Sequence, residues 1–74
     1  MLRLYSRARC GLCDEMAEAL RTRGVAFEEV DVDNDPRLVA RYGRRVPVLA
    51  DERGEEICHA RLDEAALRSR LGLE

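Results

Sequence analysis

Residues 1–33 alternate two β-patterned runs with one helix-patterned run, and this order leaves the chain very few folds. "MLRLY" sets Leu2 and Leu4 against Arg3, the period-two pattern of a strand, and stops where the polar "SRAR" begins. Leu12, Met16, Ala19 and Leu20 then recur at helical spacing with Cys13 and Ala17 beside them. Gly24 supplies the stop, so the helix should run about three turns. "VAFEEVDVD", over 25–33, is rich in β-branched residues and predicts a second strand whose alternation breaks at Glu28 and Glu29. Strand, helix and strand in this order make a βαβ unit with parallel strands.

The remaining sequence completes a small layered domain. Asp35 is a helix N-cap followed by Pro36 at the first helical position, with Gly43 at the far end. Two apolar runs, 46–50 and 57–58, flank the turn-forming "DERG" and predict a hairpin. Asp63 caps a last helix, with a staple between Leu62 and Leu67, Leu71 one turn on, and Gly72 after the last turn. The expected architecture is α/β, in the order β-α-β-α-β-β-α, with a four-stranded mixed sheet flanked by helices. At 74 residues the chain makes a single domain over 1–74, near the lower limit for one hydrophobic core.

Composition narrows the function classes. All 13 basic residues are arginine, they face 15 acids, and the net charge is -2. A nucleic-acid binder carries a clear basic excess, so that class is set aside. No run approaches the ~20 apolar residues of a membrane span, and a cytoplasmic, monomeric protein is expected. Three cysteines are too few, and odd in number, for a secreted disulfide framework, which leaves redox or metal chemistry for Cys10, Cys13 and Cys58.

Helical residues at i and i+3 keep their Cβ atoms ~5–6 Å apart, whereas a disulfide needs ~3.5–4.5 Å. One cysteine must therefore leave the helix. Cys10 at the N-cap and Cys13 in the first turn form a closable pair, with Gly11 allowing the bend between them. At that position Cys10 faces unpaired N–H groups and the positive end of the helix dipole, with Arg7 and Arg9 adding positive charge. Cys10 is then the nucleophile, and Cys13, on the face packed toward the core, the resolving thiol. Two other readings stand beside this one: a module that holds a metal or an iron–sulfur cluster through the C-x-x-C thiolates, and two cysteines packed as small apolar residues. The C-x-x-C pair beside a βαβ unit favours redox chemistry.

A C-x-x-C directly after the first strand, with "VP" (Val46, Pro47) opening the third, resembles the thioredoxin-like fold. The short chain is most similar to the glutaredoxin branch and its small glutaredoxin-like members. The resemblance implies a thiol-disulfide oxidoreductase with Cys10 as nucleophile, Cys13 as resolving cysteine and Pro47 as the cis-proline facing them. It also assigns the backbone of Val46 to pairing with a bound peptide or glutathione. No tightly bound cofactor is implied. The expected partners are a disulfide-bearing protein or small thiol, with glutathione or a thioredoxin-reductase-type system as electron source. Gly11 and Leu12 depart from the Pro-Tyr of glutaredoxins and the Gly-Pro of thioredoxins. Cys58 and His59 fall where many glutaredoxins carry Gly-Gly.

Around this site Arg9 is expected to bind substrate, within a positive surface that also takes in Arg7, Arg44, Arg45 and Arg61. Such a surface suits a carboxylate of glutathione or an acidic partner peptide; arginines paired to the chain's many acids are the alternative. Cys58 is expected as a buried small residue and His59 as a solvated one, on opposite faces of their strand.

Overall fold

The alternating pattern of residues 1–33 becomes the centre of the molecule in the computed structural model, which describes residues 1–72. The elements are β1 (Leu2–Ser6), α1 (Gly11–Thr22), β2 (Phe27–Asp31), a 3-10 turn (Val32–Asn34), α2 (Pro36–Tyr42), β3 (Val48–Ala50), β4 (Glu56–His59) and α3 (Glu64–Leu71). They form a mixed sheet in the order β2-β1-β3-β4. β1 is parallel to β2 and antiparallel to β3, and β3 and β4 form an antiparallel hairpin.

The period of two along β1 distributes its side chains between two core layers. Leu2 and Leu4 pack with Met16, Ala17 and Leu20 of α1, with Leu49 and Cys58 of the hairpin, and with Leu67 of α3. Tyr5 goes to the other face, with Val32, Tyr42, Val48 and Ala50. Its ring stacks on Tyr42 with centroids 4.3 Å apart. Leu4, Leu20 and Leu49 are fully buried, each worth ~1.5–3 kcal/mol of transfer free energy.

The helices end where their sequence signals stand. Asp35 Oδ1 accepts from the N–H of Arg37, and Asp63 Oδ1 from that of Ala66. Gly24 and Gly72 take the left-handed conformation, with φ of 69° and 73°. Leu62 and Leu67 meet in one core layer, as the staple requires. Gly43 differs: its φ of -52° is right-handed. A Cβ there would lie 2.6 Å from the carbonyl oxygen of Val39, so crowding, and not a turn, demands glycine.

Three expectations shift. The second strand covers only Phe27–Asp31, because Val32 turns into the 3-10 segment and buries its side chain. β2 is an edge strand, which is why Glu28 and Glu29 are both tolerated at exposed positions. β3 begins at Val48 and not at 46, since Pro47 has no N–H to give a ladder. The buried stripe of α1 is Cys13, Met16, Ala17 and Leu20, which leaves Leu12 38% exposed.

The hairpin is fastened from beneath. Buried Asp51 accepts the N–H groups of Arg53 and Glu55 through one oxygen, each at 2.9 Å, and pairs with Arg70 of α3 through the other.

Candidate functional site

Several strand ends meet at one edge of the sheet. Ser6 is level with Asp31, and Val48 lies opposite both Tyr5 and His59. The loop leaving β1, the Val46-Pro47 segment entering β3 and the residues following β4 therefore share one end. In α/β sheets the carboxyl ends of parallel strands are where ligand sites form.

Cys10 is the N-cap of α1, in extended conformation, and its sulfur accepts from the N–H of Cys13 at 3.1 Å. The two Cα atoms are 5.2 Å apart and the sulfurs form a disulfide, within the usual Cα range of ~4.4–6.8 Å. Cys10 is half-buried, while Cys13 is 1% exposed. Cys10 is thus partly open to solvent, and Cys13 is shielded. In the dithiol state the Cys13 N–H and the helix N-terminus both stabilise a Cys10 thiolate. Gly11 is not needed for this geometry: it is the first residue of the helix and a Cβ there would meet nothing within 4 Å. The extended backbone of Cys10 makes the bend.

Arg7 and Arg9, alike in sequence, have separate fates. Arg7 is spent on a two-pronged pair with Asp33, Nη2 to Oδ1 at 2.7 Å and Nε to Oδ2 at 3.3 Å. Each partner holds the other in its charged form: the Asp33 carboxyl lies below its ordinary pKa and the Arg7 guanidinium above. Arg9 is exposed, sits at φ 59°, and makes no ion pair among the described residues. Arg44 and Arg61 are likewise exposed and without an ion pair there, whereas Arg45 bonds Glu56 at 2.8 Å and faces Nδ1 of His59 at 3.2 Å. The positive surface expected around the site thus loses Arg7 and Arg45 to internal pairs.

The Val46–Pro47 peptide is cis, and the Pro47 ring is buried. The carbonyl of Pro47 accepts the N–H of Ala60 at 2.9 Å, which ties the proline loop to the end of β4. Val46 is half-buried, and its N–H already donates to the carbonyl of Tyr42 at 3.0 Å. Ala60 holds φ 65°, a left-handed conformation that favours glycine. A groove of about 180 Å³ runs between α1 and the segment after β4, lined by Leu12, Glu15, Met16, Ala60, Arg61 and Leu62. The larger concavity, 590 Å³, is at the other end of β1, against Met1, Leu2, Val25 and Leu71, away from the cysteines.

Cys58 belongs to the core. It is 8% exposed, and burial pushes its thiol pKa up, the opposite of activation. His59 is exposed beside it and contacts Glu56 at 3.0 Å. Among the described residues no three Cys, His, Asp or Glu side chains converge as metal donors. Sequence reasoning placed both thiols of the pair but missed the Arg7–Asp33 fork, since nothing local marks partners 26 residues apart. It also missed the left-handed Ala60, because alanine carries no local signal for that conformation.

A mixed four-stranded sheet between helices, a C-x-x-C pair at the start of the first helix and a cis-proline before the third strand define the thioredoxin-like class. The chain belongs to the glutaredoxin-like domain family (DUF836), whose model matches residues 1–72. It is similar to the X-ray structure of XcR50 from X. campestris, with 43% identity over 100% of this chain and 99% of that one and a TM-score of 0.80. The solution structure of Ne2328 from Nitrosomonas europaea is 34% identical over 93% and 87% of the two chains, with a TM-score of 0.82. A buckwheat glutaredoxin–glutathione complex shares the fold, at 22% identity over 96% and 69%, with a TM-score of 0.63. No curated protein matches the sequence.

Proposed function

We propose that the protein is a cytoplasmic, monomeric thiol-disulfide oxidoreductase that cycles between a dithiol and a Cys10–Cys13 disulfide. The carrying observation is the half-buried Cys10 sulfur capping a helix, 3.1 Å from the N–H of a shielded Cys13. The Cys10 thiolate attacks one sulfur of a substrate disulfide, forming a mixed disulfide and releasing the first substrate thiolate. Cys13 loses its proton and attacks the Cys10 sulfur, the mixed disulfide breaks, and the second substrate thiolate leaves. The substrate gains two electrons and two protons, and the protein is left oxidised. A dithiol reductant or two molecules of glutathione restore it, with no bound cofactor.

In this reading Val46 and Pro47 hold the substrate beside Cys10, and Arg9 supplies the free positive charge next to it. Because the Val46 N–H is engaged with Tyr42, its carbonyl is the group offered to an extended substrate. Oxidised protein is to be mixed with glutathione or with a thioredoxin reductase system while its reduction is followed. Reduction by either supports the proposal and names the electron source. A protein that exchanges with neither, or a Cys10→Ser variant as active on a model disulfide as the parent, overturns it.

A further inference from the structure

We propose that Arg7 is a positioning residue, a fork that holds the cis-proline loop against the loop carrying Cys10. The proposal rests on the oxidoreductase reading and adds to it a residue that touches neither thiol nor substrate.

Arg7 directs three of its five N–H donors at two segments remote in sequence. Nε and Nη2 grip Asp33, just after β2, while Nη1 donates to the carbonyl of Gly43, just after α2, at 3.1 Å. A planar guanidinium delivers these bonds in one rigid geometry, which an ammonium cannot do. Asp33 itself is fixed from behind, its N–H donating to Asp31 Oδ1 at 2.9 Å.

The grip on Gly43 reaches Val46 through a short turn. The N–H groups of Arg45 and Val46 both donate to the Tyr42 carbonyl, at 2.7 and 3.0 Å, so residues 42–46 form one hydrogen-bonded turn. Tyr42 is stacked on Tyr5 of β1, which anchors the other side of that turn. Gly43 is also where a side chain would intrude: its Cβ would sit 3.4 Å from Arg7 Nη1. Arg7 therefore joins the chain three residues before Cys10 to the chain three residues before Val46.

The alternative role for Arg7, a positive charge stabilising the Cys10 thiolate, predicts opposite behaviour. With Asp33 bonded to it, the charge of Arg7 is already balanced, and exposed Arg9 is the cation left beside the thiol. The Arg7 and Asp33 side chains are 38% and 44% exposed, so the pair adds little to stability and acts through geometry.

The test compares Arg7→Lys, Arg7→Gln and Asp33→Asn with the parent, after thermal unfolding has shown each to be folded. Three quantities are measured: amide hydrogen exchange at Arg45 and Val46, KM and kcat for a peptide disulfide, and the Cys10 pKa from the pH dependence of alkylation. The clamp predicts exchange at Val46 at least about tenfold faster in all three variants. It also predicts KM raised about three- to tenfold, a smaller change in kcat and an unmoved Cys10 pKa. Full rescue by Arg7→Lys overturns it. So does a Cys10 pKa that rises in Arg7→Gln and falls in Asp33→Asn while Val46 exchange stays at the parent rate, because charge is then the mechanism. A parent without disulfide exchange activity defeats the oxidoreductase reading, and amide exchange at Val46 still decides the clamp.

Discussion

Cys10 caps a helix at the end of the sheet, half in solvent, with a backbone N–H aimed at its sulfur. Cys58 lies opposite Leu49 in the middle of a core layer, and burial raises the pKa of its thiol. The contrast shows how one residue type is placed in opposite surroundings. A helix N-terminus leaves N–H groups unclaimed and supplies partial positive charge, both favouring thiolate. At Cys58 one backbone N–H, that of Asp63, also reaches the sulfur, but the surrounding hydrocarbon outweighs it and favours the neutral thiol.

The largest test of this contrast is catalytic. Cys10→Ser should lower disulfide exchange by roughly 10³-fold or more, to the uncatalysed background, while Cys58→Ala keeps the parent rate in the same assay. Equal losses would erase the distinction. Alkylation of the fully reduced protein at neutral pH, read by mass spectrometry, should label Cys10 first and Cys58 last, about 100-fold or more apart, with the gap closing in denaturant.

Stability should show the reverse ranking of the two regions. Leu49→Ala, opposite Cys58, should cost ~2–5 kcal/mol by denaturant unfolding, whereas Leu12→Ala, between the active cysteines, should stay within ~0.5 kcal/mol.

A smaller effect lies in acid. Arg7 keeps the Asp33 carboxyl below its ordinary pKa, so the contribution of the pair is present above the unfolded value of ~3.9 and fades as pH falls through the lower folded value. The protection factor of the Val46 amide, taken relative to the intrinsic exchange rate at each pH, should therefore fall below that range in the parent and show no such fall in Asp33→Asn. Least of all, Ala60→Gly should stabilise the fold by about 0.5 kcal/mol in thermal unfolding, because relief of the left-handed backbone slightly exceeds the entropy glycine adds to the unfolded chain.

The element order, the helix caps and the place of the cysteine pair were legible because each is written in local chemistry: Asp35 and Asp63 before their helices, Gly24 after one, Cys10 among polar residues before an amphipathic run. The misplaced details depend on neighbours far along the chain. Leu12 follows the helical spacing, yet the helix is rotated so that Cys13 takes the inward position. Glu28 and Glu29 look like a broken strand until β2 is known to be an edge. Arg7 and Arg9 look interchangeable until one of them finds Asp33.

The glutamates that blurred β2 in the sequence have a further consequence. An edge strand with unpaired backbone groups is a template on which a second chain can grow a sheet. Here Glu28 pairs with Arg3 of β1 at 3.7 Å, and Glu29 with Arg21 of α1 at 3.6 Å, so a strand approaching β2 meets exposed charged side chains that it would have to desolvate. At the opposite edge, Glu56, Arg45 and His59 fence β4 in the same way. Both outer strands of the sheet thus carry charged residues, which disfavours fibre-like stacking of one sheet onto another.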